Sequence, residues 1–259
     1  MIVGIIGKGA IAGYVSHHIA SSAHSLGAIL LRQEFVAEHP SELHFGTVSD
    51  LPKDLDLVID CAGHAALKSY GRDILRRGMD LITVSLGALA DPDLWHELNE
   101  AASSGNSRLH LASGAIGALD CLQAARYGGL KEVTYLGRKP PLGWRGSPAE
   151  SVLDLSSMTE GSAVHFSGSA RQAAIAYPKN ANVAAAVALA GVGFDKTRVK
   201  LVADAGISDN IHEIEAMGSF GRFSFQVRGK TLPDNPRSSA LAAMSVVSKL
   251  EQLTMRIVI

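Results

Sequence analysis

Only two cysteines, Cys61 and Cys121, occur in 259 residues. They lie in apolar segments without metal-like spacing, which argues against a disulfide framework or a thiolate metal site and predicts reduced core thiols. Charge of one sign is missing too. Against 24 Lys and Arg stand 25 Asp and Glu, so no net field recommends nucleic acid or an anionic membrane as a partner. Although 47% of the chain is hydrophobic, no run approaches the ~20 apolar residues of a membrane span. No basic segment with a cleavage site precedes the first apolar run, so no secretory signal is expected and the cytoplasm is the expected compartment. No H-x-x-x-H pair or Cys/His cluster suggests a metal. Repeats and low-complexity tracts are likewise absent. What remains is a chain long enough to bury a sizeable core in one large or two medium domains.

The opening residues carry the first positive signal. Ile2, Val3, Ile5 and Ile6 form a nearly continuous apolar run, the pattern of a parallel strand covered on both faces. Ile11, Val15 and Ile19 then recur four apart, as one face of a helix does. Between them, "GKGAIA" fits the G-x-G-x-x-[G/A] dinucleotide fingerprint. Gly7 allows the tight turn, Gly9 lets the backbone approach a diphosphate, and Ala12 permits close strand–helix packing. The exposed amides at the helix start, at Ala10 and Ile11, would face the phosphates. A glycine turn retained only for packing is the competing explanation.

The first half continues as alternating strand and helix signals. Strands are expected in Leu26–Arg32, Asp54–Gly63, Met79–Ala88 and Ser107–Ala115. Helices fall between them, one capped by Asp91 with Pro92 in its first turn. This is βαβ architecture, a Rossmann-type doubly wound parallel sheet. Past residue 115 the texture changes. A strand runs into a Pro/Gly loop over Glu132–Gly146, and Ala181–Gly191 is an Ala/Val-rich helix. Thr197–Gly206, Asn210–Ser219 and Gly221–Lys230 alternate and predict a mainly antiparallel sheet in a second α+β domain. Helical spacing returns over Ser238–Leu253, with Ser238 as its cap. The expected division is residues 1–115 with 238–259 as a dinucleotide-binding domain and 116–237 as a catalytic, substrate-binding domain.

Most of the ten histidines have ordinary explanations. His17, His18, His24, His39 and His44 lie in polar stretches where exposed imidazoles are expected. His96 and His110 fall inside a helix and a strand. His64 follows Cys61-Ala62-Gly63 at the C-terminal end of an expected strand, where open α/β sheets bind ligands. His212, in "SDNIHEIEAMG", is flanked by Asp209, Asn210 and Glu213, which can orient a ring and tune its pKa. Residue pattern alone leaves His212 open between that role and a structural strand histidine.

In order along essentially the whole chain, "GKGAIAG", "SLGALADPDLW", "LASGAIGALDCLQAA", "RKPP", "YPKNANVAAAVALAG" and "DNIHEIEAMGSFG" resemble the L-aspartate dehydrogenase family. The resemblance implies NAD- or NADP-dependent oxidative deamination of L-aspartate through iminoaspartate to oxaloacetate and ammonia, or the reverse amination. It implies His212 as the catalytic residue and Ala115 and Asn182 as nicotinamide-cofactor contacts. A substrate with two carboxylates calls for cationic donors, and Arg138, Lys139, Arg171 and Lys179 are the candidates. Cofactor choice is expected to turn on Arg32 at the end of the second strand. There an NAD-selective site would place an acid, whereas Arg32 can neutralise a 2′-phosphate, the alternative being a solvated arginine at a strand end. The expected assembly is a homo-oligomer, a dimer. An imine reductase resembling the dihydrodipicolinate reductases, or a dinucleotide-binding sensor without turnover, are the alternatives.

Overall fold

A computed structural model describes residues 1–232 and 235–257. The chain divides into two compact units, Met1–Ala112 together with the chain from Ala242, and Ser113–Leu241. In the first unit the strands are β1 (Ile2–Ile6), β2 (Ser25–Leu30), β3 (His44–Phe45), β4 (Leu57–Asp60), β5 (Asp80–Thr83) and β6 (Leu109–Leu111). All pairs are parallel, in the order β3-β2-β1-β4-β5-β6. That order reverses between β1 and β4, which opens a ligand crevice beyond their C-terminal ends. The connecting helices are α1 (Ala10–Ala20), α2 (Gln33–Glu38), α3 (His64–Arg76) and α4 (Pro92–Gly105). The apolar spacing read from the sequence makes the core, where Val3, Ile5, Ala12, Val15, Ile19, Leu57, Ile59 and Ile82 pack with Val246 and Leu250. Asp91 caps α4, accepting from the amides of Asp93 and Leu94.

The second unit holds α5 (Leu119–Tyr127), β7 (Leu130–Lys139), β8 (Ser162–Ser169), α6 (Ala170–Ala176), α7 (Asn182–Ala190), β9 (Arg198–Asp204), β10 (Asn210–Gly218) and β11 (Gly221–Gly229). Its five-stranded sheet runs β11-β10-β7-β9-β8. Helices α5 and α7 lie against β7, and α6 against β8 and β9. A small ribbon of β12 (Thr231–Leu232) and β13 (Asn235–Ser239) precedes α8 (Ala240–Gln252).

Several expectations need correction. β9 is not the neighbour of β10; it pairs parallel with β7, which separates the two. Alternation tells which face a residue occupies but not which strand lies beside it, so the three segments read as one antiparallel run. Only β10 and β11 form the expected hairpin. Ser238 lies within β13 and α8 begins at Ala240. Cys121 is exposed because Leu122 and Ala125 form the buried stripe of α5. His24 is buried beside the Glu251 carboxylate, and His110 pairs with Asp80 at 2.7 Å. Both partners are remote in sequence.

Candidate active site

The turn after β1 has the geometry that the fingerprint requires. Gly7 has φ of +96°, and a Cβ there would sit 2.9 Å from the Cβ of Ala62, at the end of the adjacent strand β4. Gly9 has no atom within 4 Å of where its Cβ would stand, and it precedes α1 without any side-chain cap. The first amides of α1, including those of Ala10 and Ile11, are thus left for a ligand. Open space over Gly9, a bare helix N-terminus and buried Ala12 fit a dinucleotide diphosphate.

Arg32 follows β2, the strand on the other side of β1. The Gly7 amide donates to the Leu30 carbonyl at 3.0 Å, which ties the glycine turn to the end of β2. Arg32 is exposed as the residue before α2, and no acid among the described residues pairs with it. Glu34 lies in the first turn of α2. Lys8 adds a cation that the sequence did not single out, its Nζ standing 3.1 Å from the centre of the Phe35 ring.

The second unit gathers the titratable chemistry. His212 is the third residue of β10 and is 5% exposed. On β10, Ile214 and Ala216 share its face and are buried, whereas Glu215 and Met217 point to solvent. Its Nδ1 lies 2.8 Å from the Tyr135 hydroxyl. Register explains this contact. His212 is directly opposite Gly137 on β7, and Tyr135 sits two residues earlier on the same face. A Cβ on Gly137 would come within 2.7 Å of the Tyr135 hydroxyl oxygen. Glycine therefore clears the path over which the tyrosine reaches the histidine. Burial and then the nearby Lys139 ammonium lower the His212 pKa to about 4, so the ring is neutral at pH 7.

A second buried histidine, His165, was not singled out by the sequence. Residues Val164 and Phe166 pair with the consecutive residues Val202 and Leu201, which makes His165 the extra residue of a β-bulge. Bulges commonly re-aim a side chain, and nothing in local composition announces one. His165 Nδ1 is 3.1 Å from the Tyr177 hydroxyl, and its ring meets the edge of Trp144 with centroids 4.3 Å apart. Burial, then Lys139, lowers its pKa to about 4 as well.

The structure separates the four candidate cations. Arg138 pairs with Asp204 at 2.7 Å. Arg171 grips Asp195 through two bonds of 2.6 and 2.9 Å. Lys179 is exposed. Lys139 alone adjoins both buried histidines, and burial lowers its pKa to about 8. Ala115 is buried beside Gly114, whose φ is +73°, and Asn182 is the first residue of α7. Among the described residues no His/Cys/Asp/Glu cluster could hold a metal ion, and no helix is long and apolar enough to cross a membrane.

Comparison with known proteins agrees along the chain. The family described as aspartate dehydrogenase, C-terminal, matches residues 120–253. The family described as homoserine dehydrogenase, NAD binding domain, matches residues 7–112. An L-aspartate dehydrogenase of Ruegeria pomeroyi is 52% identical over 252 residues, covering 96% of this chain and 91% of its own. One from Acinetobacter baumannii is 40% identical over 248 residues, covering 94% of each. Among solved structures, aspartate dehydrogenase from Thermotoga maritima superposes with a TM-score of 0.78 at 28% identity, over 100% of this chain and 99% of that one.

Proposed function

The chain belongs to the L-aspartate dehydrogenase family, and from that premise we propose that it oxidises L-aspartate to iminoaspartate with NAD or NADP and hydrolyses the imine to oxaloacetate and ammonia. The first unit is the dinucleotide-binding part and the second the catalytic part. Gly7, Gly9, Ala10 and Ile11 hold the diphosphate. Arg32 faces the adenosine ribose, and Ala115 and Asn182 contact the nicotinamide end. When bound, the dinucleotide supplies the acceptor for the hydride that leaves Cα, while the amine loses a proton to give the imine.

His212 carries the remaining chemistry. Its Nδ1, held by the Tyr135 hydroxyl, fixes the ring, and a proton on Nδ1 donated to that oxygen leaves the Nε2 lone pair free. Nε2 then takes the proton of the water that attacks the imine carbon. Tyr135 can only accept or donate as a neutral phenol, since burial raises its pKa. The observation carrying this reading is the neutral, buried His212 oriented by Tyr135 in a chain of this family. Purified protein with L-aspartate and NAD or NADP should show growth of the reduced-nicotinamide absorbance. Binding of cofactor without turnover of aspartate, in either direction, would replace the enzyme reading by that of a dinucleotide sensor.

A further inference from the structure

We propose that Lys139 and His165 together receive the side-chain carboxylate of the dicarboxylic substrate and so determine that this site takes aspartate rather than a neutral amino acid. The inference rests on the dehydrogenase reading above and names a specificity element within the same site.

Three observations carry it. First, His165 is 7% exposed, and its Nε2 is buried without any hydrogen-bond partner. We assign the Tyr177 hydroxyl as the donor to Nδ1, which places the ring proton on Nε2 as an unused donor. Buried donors in native proteins are nearly always satisfied, and the β-bulge that creates this one puts an extra residue into β8 where regular pairing would have none. Second, Lys139 adjoins the same cluster at the end of β7, its Nζ 5.0 Å from the centre of the Trp144 ring. Among the described residues no carboxylate pairs with it, unlike Arg138 and Arg171. Third, the side chains that the structure shows interacting with it, Trp144, His165 and His212, carry no negative charge. A partly desolvated ammonium without a counter-charge is costly, and here it also disfavours protonation of both histidines. One anion relieves all three features at once. It accepts from Nε2–H of His165, pairs with the Lys139 ammonium, and offsets the field on His212, moving that ring toward a pKa suited to proton transfer near neutrality.

The test compares substrates that differ only in that carboxylate. L-asparagine presents a neutral amide in its place. Lys139→Gln and His165→Asn should each lower the kcat/KM ratio of aspartate to asparagine by about ten- to a hundredfold, the scale of a lost charge-assisted bond, mainly through KM and with cofactor Kd unchanged. Asparagine at residue 165 keeps an atom near Nδ1 for Tyr177 but loses the donor at the Nε2 position. Glutamine reaches that position, so His165→Gln should recover part of the discrimination. In parallel, calorimetric binding of succinate, with butyrate as the monocarboxylate control, is measured on the cofactor-loaded wild type and variants. Succinate should bind the wild type more tightly than butyrate and lose that advantage in Lys139→Gln and His165→Asn. If aspartate is turned over but the substrate ratio and the succinate preference survive both substitutions, the inference is wrong and the dehydrogenase reading stands. If no amino acid is turned over yet succinate binding depends on both residues, the dehydrogenase reading fails and the anion site remains.

Discussion

At the scale of single residues, His212 is the group on which turnover should depend. Removing a positioned general base costs typically 10²–10⁴-fold, so His212→Ala and His212→Asn should lower kcat by that order while leaving cofactor Kd nearly unchanged. Near wild-type turnover would make the histidine structural. Its titration gives a second check. With a pKa of about 4 before substrate binds, the acid limb of kcat/KM due to this ring should lie near pH 4 rather than near the ordinary histidine value. The limb of kcat should lie higher, because a bound carboxylate beside Lys139 offsets part of what depresses the ring. Coincident limbs would contradict that account. Arg32 belongs to the same scale. Exposed and without an acidic partner among the described residues, it is available for a 2′-phosphate, so Arg32→Ala should weaken NADP more than NAD. Wild-type protein should accept NADP at least as well as NAD. Measured kcat/KM with both cofactors decides it; an unchanged ratio means that Arg32 does not read the phosphate.

At the scale of elements, the catalytic histidine depends on strand register. Gly137 lies opposite His212, and the space above it is used by the hydroxyl of Tyr135. Gly137→Ala brings a methyl group to 2.7 Å from that oxygen and 3.2 Å from Leu201 Cδ2, so the tyrosine must leave the histidine. The loss should resemble that of Tyr135→Phe, about tenfold in kcat for one hydrogen bond to a buried ring. Cofactor affinity should not change, since neither residue is among the proposed cofactor contacts. A Gly137→Ala protein with full activity would show that Tyr135 does not orient His212. On β8 the bulge performs a comparable service for His165. In the first unit the tight turn between β1 and α1 leaves bare amides because Gly9 supplies no cap.

At the scale of the whole molecule, the two buried histidines tie stability to pH. Both have folded pKa values of about 4 against about 6.5 in an unfolded chain. Between those values the unfolded state binds more protons, so stability rises with pH. The contribution is complete above pH 6.5 and is lost as pH falls toward 4, by on the order of 2–3 kcal/mol for each ring. Lys139, depressed to about 8, acts in the same direction between about pH 8 and 10.5. Carboxylates held low by partners, such as Asp204 beside Arg138 and Glu251 beside His18, act in the same direction from the acid end of the histidine window downward. Urea midpoints at pH 7, 5.5 and 4.5 should therefore fall steeply, and His165→Asn should flatten the slope by about one proton. An unaltered slope in that variant would place the titration elsewhere.

Much of this protein was determined by its sequence alone. Periodicity names the strands and helices of the first unit because burying an apolar face requires a fixed repeat. Glycine at position 7 marks the nucleotide turn because its φ of +96° disfavours any side chain, and glycine at position 9 because it leaves open space for a diphosphate. Ordered segments along the chain pointed to the family and, within it, to His212. Tertiary structure decided what sits beside what. That β7 lies between β9 and β10, that Tyr135 reaches His212 across Gly137, and that a bulge turns His165 toward a buried donor position all depend on pairing between residues far apart in the chain. Of four cations equal in sequence, two found carboxylates and one faces solvent. Only packing could show that Lys139 was left without one, because a local pattern records side-chain chemistry and not the distant groups that neutralise it.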